Sequence, residues 1–232
     1  MAVYDWPGNL PPSDTMVPIL ENYAASPGRS IGGQERMIVT DAGYWRYGFR
    51  VDLRTPMQIL SWRGILALSE GRVNAIRVPI CDGLFDPSAQ AGIRSSLIRA
   101  MRAGSNGYSD GSLHSDGSGF AMSITLGTVA ATRGPGMTSI RVTMAAGLVP
   151  QPGHHFSDGD RLYRVKSATL VSGTTYDLGF LPRLRQTIAA GQEVKFDKLH
   201  CLMQIADDGF MRTDLRTLRY GEINIEFTEY AA

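Results

Sequence analysis

Alternation of apolar and polar side chains is clearest in YWRYGFRVDL, residues 44–53. Tyr47, Phe49, Val51 and Leu53 fall on one face there, while Arg46, Arg50 and Asp52 fall on the other, which Arg54 extends. One side of this strand is therefore expected to be buried and the other wet or interfacial. INIEFTEYA at 223–231 repeats the pattern, with Ile223, Ile225 and Phe227 alternating with Asn224, Glu226 and Thr228, and predicts a second half-buried strand. Between them, TPMQILSWRGILALSEG predicts a helix over 56–70. Thr55 can cap it, Pro56 suits the first helical position, and Gly71 can end it. Ile59, Leu60, Trp62, Ile65, Leu66 and Leu68 make that helix apolar over most of its circumference, which calls for packing against a sheet. RVNAIRVPI then reads as a strand ending at Cys81, and a shorter strand is expected near Arg36–Thr40. Ahead of these, Pro7, Pro11, Pro12 and Pro18 deny a helix its donors and predict an extended arm followed by a short strand.

From 82 to 119 the pattern dissolves into a Ser- and Gly-rich stretch, read as a long connecting loop with a short amphipathic piece around Ile93–Met101. A second β-rich unit begins at Phe120 and runs to residue 200. FAMSITLGTVA, MTSIRVTMAAG, RLYRVKSATLV, TTYDLGF and EVKFDKLHCLMQIA give five strands at the turn-punctuated spacing of a small barrel or sandwich. LPRLRQTIAA at 181–190 is read as one or two helical turns between the fourth and fifth. The fold class is thus mainly β, in two domains, with one packed helix.

Charge narrows the partners. The formal net charge is +1, so nothing sequence-wide draws the chain to nucleic acid or to anionic lipid. Of the 23 basic residues only Lys166, Lys195 and Lys198 are lysines, leaving 20 arginines; the rigid guanidinium fork suits interfaces. No run of 18 apolar residues and no charged-then-apolar leader is present, so no membrane segment and a cytoplasmic site of folding are expected. The two cysteines, Cys81 and Cys201, exclude a zinc ribbon or an all-cysteine iron–sulfur cluster. As strands flanking the 82–200 excursion they are expected to be spatial neighbours.

Candidate chemistry is sparse. Ser-Asp-Gly occurs at 109–111, 115–117 and 157–159, and Asp-Gly is turn chemistry. Asp110 and Asp116 are weak candidates for a shared calcium ion, without the ligand spacing of an EF-hand. His154 and His155 beside Asp158 and Asp160 are adjacent positions, poor ligand spacing on a strand, and are read as an exposed loop. Asp207-Asp208 ahead of Gly209 reads as a turn. GxSxG, HExxH and a Walker loop are missing from the sequence, so no enzyme and no cofactor are expected. Tyr163, Tyr176 and Phe180 are available as sugar platforms, although alternating aromatics are more often core.

Several stretches together resemble tail proteins of long-tailed, non-contractile bacteriophages and of gene-transfer-agent particles. They are GGQERMIVTDAGYW, YSDGSLHSDGSGF, FSDGDRLYRVKSAT with YDLGFLPRLRQTIAAGQEVKF, and HCLMQIADDG with INIEFTEYA. The resemblance implies a structural virion protein at the tail tip or baseplate, assembled in the bacterial host cytoplasm: the distal tail protein, a ring between tail tube protein and tail hub protein, six subunits around a channel. It implies a ring-forming belt domain, residues 1–81 with the helix, completed by 201–232, and residues 120–200 as an inserted small β-barrel or sandwich. Contact candidates on this reading are Tyr4 and Trp6 in the arm, Arg46, Arg50 and Arg54 on the polar strand face, and the 82–119 loop with Tyr108. Adaptor-type tail proteins that carry an iron–sulfur cluster need four cysteines, and this chain has two. A carbohydrate-binding host-recognition module, with the barrel presenting aromatics, is the alternative, followed by a cell-wall hydrolase component.

Overall fold

The structure, a computed structural model, describes residues 1–26, 28, 32–33, 37–39, 43–82, 84–85, 105–106, 120–121, 126–145, 147–207, 214–216 and 220–230. The chain is mainly β, with a single helix among the described residues. In chain order the elements are β1 (Val3–Asp5), β2 (Asp14–Thr15), β3 (Ile19–Glu21), β4 (Ala24–Ala25), β5 (Ile38–Val39), β6 (Tyr44–Leu53), α1 (Pro56–Ser69), β7 (Ala75–Ile80), β8 (Ser105–Asn106) and β9 (Phe120–Ala121). They continue as β10 (Gly127–Val129), β11 (Ser139–Met144), β12 (His155–Asp158), β13 (Arg161–Ser172), β14 (Thr175–Leu181), β15 (Glu193–Val194), β16 (Leu199–Ile205), β17 (Asp214–Arg216) and β18 (Tyr220–Glu229). Two compact units form: residues 1–81, 160–162 and 200–232 make the first, and residues 82–159 and 163–199 the second.

The first unit is an eight-stranded sheet in the order β1-β7-β16-β18-β6-β2, with β3 also on β6 and β17 also on β18. Its spine is the antiparallel pair β6–β18, in register from Gly221 opposite Leu53 to Thr228 opposite Arg46. The alternation puts Trp45, Tyr47, Phe49, Val51 and Leu53 of β6 with Ile223, Ile225 and Phe227 of β18 into the core. α1 starts with a reciprocal cap: the Gln58 backbone N–H donates to Thr55 Oγ1 at 3.3 Å, and the Thr55 N–H donates to Gln58 Oε1 at 3.1 Å. The left-handed closing residue is Glu70 (φ 46), one position before Gly71. The helix buries a single stripe, Ile59, Trp62, Ile65 and Ser69, whereas Met57, Leu60 and Leu68 are exposed. The helix is apolar around most of its circumference, but a sheet covers only one face of it.

The arm contributes to this core. Trp6 packs edge-on against Phe49 (5.0 Å between centroids) and Phe227 (5.8 Å), and its indole N–H donates to the Leu10 carbonyl at 2.7 Å. Residues 160–162 are fastened residue by residue. Arg77 pairs with Asp160, Arg161 Nη1 reaches Glu229 Oε1 at 3.3 Å and donates to the Tyr230 carbonyl at 2.6 Å, and Trp45 Nε1 donates to the Leu162 carbonyl at 2.7 Å. Glu229 is buried and also accepts from the Trp45 backbone N–H at 3.1 Å.

The second unit is a six-stranded sheet, β12-β13-β14-β11-β10-β15, nearly closed into a barrel. Closure comes from Ser157 and Lys195, which exchange backbone hydrogen bonds of 2.8 and 2.9 Å. Phe156, Tyr163, Phe180 and Phe196 fill its interior, with Phe156 5.2 Å from Tyr163 and 5.5 Å from Phe180. Residues 181–190 are not helical, contrary to the expectation from sequence. Leu184 and Ile188 are buried as a helical spacing would suggest, but their backbones bond across to another segment: Leu184 N–H to Met137 O and Ile188 N–H to Arg133 O, both at 2.9 Å. Pro182 lacks a donor, and the 133–137 segment supplies the partners that a local turn would otherwise provide.

The buried Glu229 generates a stability prediction. All three tryptophans, Trp6, Trp45 and Trp62, lie in the first unit, so tryptophan fluorescence in urea follows that unit alone. Glu229→Ala is expected to lower its stability by about 3–5 kcal/mol, because Arg161, only 13% exposed, is left without its counter-charge. Glu222→Ala, at an exposed pair, is expected to cost about 0–1 kcal/mol. A Glu229→Ala loss no larger than that of Glu222→Ala contradicts the assignment.

Candidate functional site

The polar face of the β6–β18 ribbon is a ladder of internal ion pairs. Arg46 reaches Glu226 and, at 3.3 Å, Glu21. Arg50 Nη2 meets Glu222 Oε1 at 2.8 Å, and Asp52 bridges Arg50 at 3.2 Å and Arg54 at 2.9 Å. The Arg54 hydrogen bond is the main reason the Asp52 carboxyl is held below the usual range. The arginines named from sequence as contact candidates are therefore brought together on one face, already engaged with carboxylates of the same unit. Such pairs are half in water and hold geometry more than they stabilise. Gly48 lies at the middle of the ladder, where an added Cβ would meet Met16 Sδ at 3.0 Å and the Ile225 carbonyl at 3.2 Å; the glycine leaves room for the Met16 side chain to lie on the strand.

Tyr4 is half-buried on β1. Trp6 is only 9% exposed, which corrects its reading as a contact residue: the prolines around it fold the arm back onto its own sheet. Apolar surface is instead exposed on the outward side of α1 and just past it, at Met57, Leu60, Leu68 and Val73, and by the β2 and β3 edge at Met16, Val17 and Ile19. Gly64, on the same helix side, has open space where a Cβ would stand.

In the second unit, His154 and His155 are buried, at 8% and 3% exposure, which corrects the expected exposed loop. His155 opens β12 and sits between two partners: its Nδ1 meets Asp82 Oδ2, and Arg164 Nε donates to its Nε2 at 2.9 Å. A guanidinium nitrogen only donates, so Nε2 is the acceptor and the ring proton lies on Nδ1, facing the carboxylate. Burial alone would raise the Asp82 pKa, but the His155 hydrogen bond and the Leu84 backbone N–H outweigh it and hold the carboxyl below its usual value. Burial pushes His154 down, and its Nδ1 accepts from the Gln151 backbone N–H at 3.1 Å. An Asp–His pair of this kind orients a general base elsewhere, but here the nitrogen that would take a proton is already occupied by Arg164. The chain Asp82–His155–Arg164 is a structural clasp. Phe85, three residues beyond Asp82, stacks on Phe196 at 4.9 Å and meets His154 edge-on at 5.2 Å.

Asp158 is also buried, its carboxylate accepting from Gln186 at 3.1 Å and from Gln192; burial pushes its pKa up. Tyr163 and Phe180 are core and Tyr176 packs against that core, so these three are not a sugar platform. Cys81 and Cys201 are free thiols, one just past β7 and the other on β16, adjacent strands of the first sheet. Tyr108, Asp110 and Asp116 lie outside the described residues. Among the described residues no group of three or more His, Cys, Asp or Glu is placed to hold a metal ion, and no helix is long and apolar enough to cross a membrane. No protein-family model and no curated protein matches the chain.

The clasp generates a pH prediction. A carboxylate with a depressed pKa in the folded state contributes stability above its unfolded value, near 3.9, and loses that contribution as pH falls through the folded value. Asp82→Asn should lower the stability of the second unit by about 1–3 kcal/mol at pH 7, followed by the urea dependence of barrel amide resonances. The gap to the unsubstituted protein should shrink as the pH is brought from about 5 toward about 3. A gap of constant size over that range contradicts the clasp.

Proposed function

We propose that this chain is a structural subunit of a phage-like tail tip, the distal tail protein, closing as a six-membered ring between tail tube and hub in the virion and assembled in the bacterial cytoplasm. The observation that carries assembly is the outward side of α1. A helix already packed on its own sheet still exposes Met57 at 65%, Leu60 at 58% and Leu68 at 41%, apolar area of the kind that a neighbouring subunit covers. The tail assignment itself rests on the sequence resemblance. A closed ring needs two different patches on each subunit, and the first unit exposes apolar side chains both on the outward side of α1 and at Met16, Val17 and Ile19 by the β2 and β3 edge. Near-neutral net charge does not oppose self-association. Catalysis has no part in this function.

The reading is tested in the strain that makes the particle. Leu60→Asp with Leu68→Asp places charge on exposed helix positions, so tryptophan fluorescence and soluble yield should stay unchanged. Tail assembly should stop, and electron micrographs should show heads without complete tails. Normal tails built with the double variant contradict the proposal.

A further inference from the structure

Along the outer face of the first unit's sheet runs a solvent-open groove of about 540 Å³, walled by Arg50, Asp52, Arg54, Tyr220, Glu222 and Asn224. Its volume is ordinary for a small-molecule site. The charged side chains hold one another: Asp52 accepts from Arg50 and Arg54, and Glu222 accepts from Arg50. They are thus in part oriented before any ligand arrives, which reduces the ordering cost of binding. Two guanidinium groups and two carboxylates leave the walls without net charge, so the groove has no preference for a phosphate or a polyamine. It does offer acceptors and donors side by side. Tyr220 is 61% exposed, and neither its hydroxyl nor the Asn224 amide bonds to any described residue. Gly221 and Glu222 are paired on both sides, with β17 and with β6, so no strand edge opens there for a peptide to extend.

We propose that this groove binds a neutral saccharide. A pyranose has an apolar face of C–H groups and a rim of hydroxyls that both donate and accept. Tyr220 stacks on the first, since an exposed ring with a polar tip suits a half-wet contact. Asn224, the carboxylates and the guanidinium groups satisfy the second. This assigns sugar recognition to the first unit and not to the barrel aromatics, and it does not depend on the tail assignment.

The test is saturation-transfer NMR on the full chain with cellobiose, maltose, lactose, chitobiose and mannobiose at millimolar concentration, with sialyllactose and inorganic phosphate as charged comparators. At least one neutral disaccharide should receive saturation, strongest at its ring C–H protons. Tyr220→Ala should weaken that binding by about fivefold, the scale that ring stacking supplies, and Tyr220→Phe should retain it. Asn224→Ala should weaken it without altering tryptophan fluorescence. No transfer to any neutral sugar, transfer unchanged by Tyr220→Ala, or binding of the charged comparators alone overturns the proposal.

Discussion

The pairing of Arg161 with Glu229 is the interaction on which the organisation of the chain turns. Residues 160–162 are counted with the first unit, although β12 before them and most of β13 after them belong to the second. Each of the three is held by a different group: Asp160 by Arg77, Arg161 by Glu229 and the Tyr230 carbonyl, and Leu162 by the Trp45 indole. An ion pair whose carboxylate is buried adds little net stability over an apolar substitute, but it tolerates few alternative placements, and the additional hydrogen bonds satisfy the remaining valences. Glu229 also takes the Trp45 backbone N–H, so one carboxylate joins the start of β6, the end of β18 and the start of β13. The chain consequently passes between the units four times, at 81/82, 159/160, 162/163 and 199/200.

The two faces of the first unit follow different rules. On the outer face, charges are balanced within the unit, so an intersubunit salt bridge there would have to displace an existing one. On the helix side nothing of the kind holds: Met57, Leu60 and Leu68 remain in water, and covering them is favourable by about 25 cal/mol for each Å² removed. Assembly through the helix and ligand recognition through the ladder are therefore compatible assignments. The first needs apolar surface without fixed geometry, and the second needs polar groups whose geometry is already set.

Local signals were legible in the sequence and long-range ones were not. The 44–53 alternation fixes β6 to the residue, and Thr55 with Pro56 fixes the start of α1, because period, cap and proline act within one or two turns of chain. Trp6 and His155 were misread because proline-rich and Gly-flanked surroundings suggest exposure, while their burial depends on partners far along the chain, Phe227 for one and Asp82 for the other. Leu184 and Ile188 kept a helical spacing but found cross-strand partners at 133–137. The Tyr220–Asn224 groove left no local trace at all: it exists only because β18 registers Glu222 against Asp52 and Asn224 against Arg50.

The claim that this chain closes a ring at the end of a tail tube is tested most directly by its position and copy number in a cryo-EM reconstruction of the assembled particle. The account predicts six copies around the tail axis, one ring thick, with α1 of each copy covered by its neighbour. Copies placed off the axis, or a ring in which Met57, Leu60 and Leu68 face solvent, would contradict it.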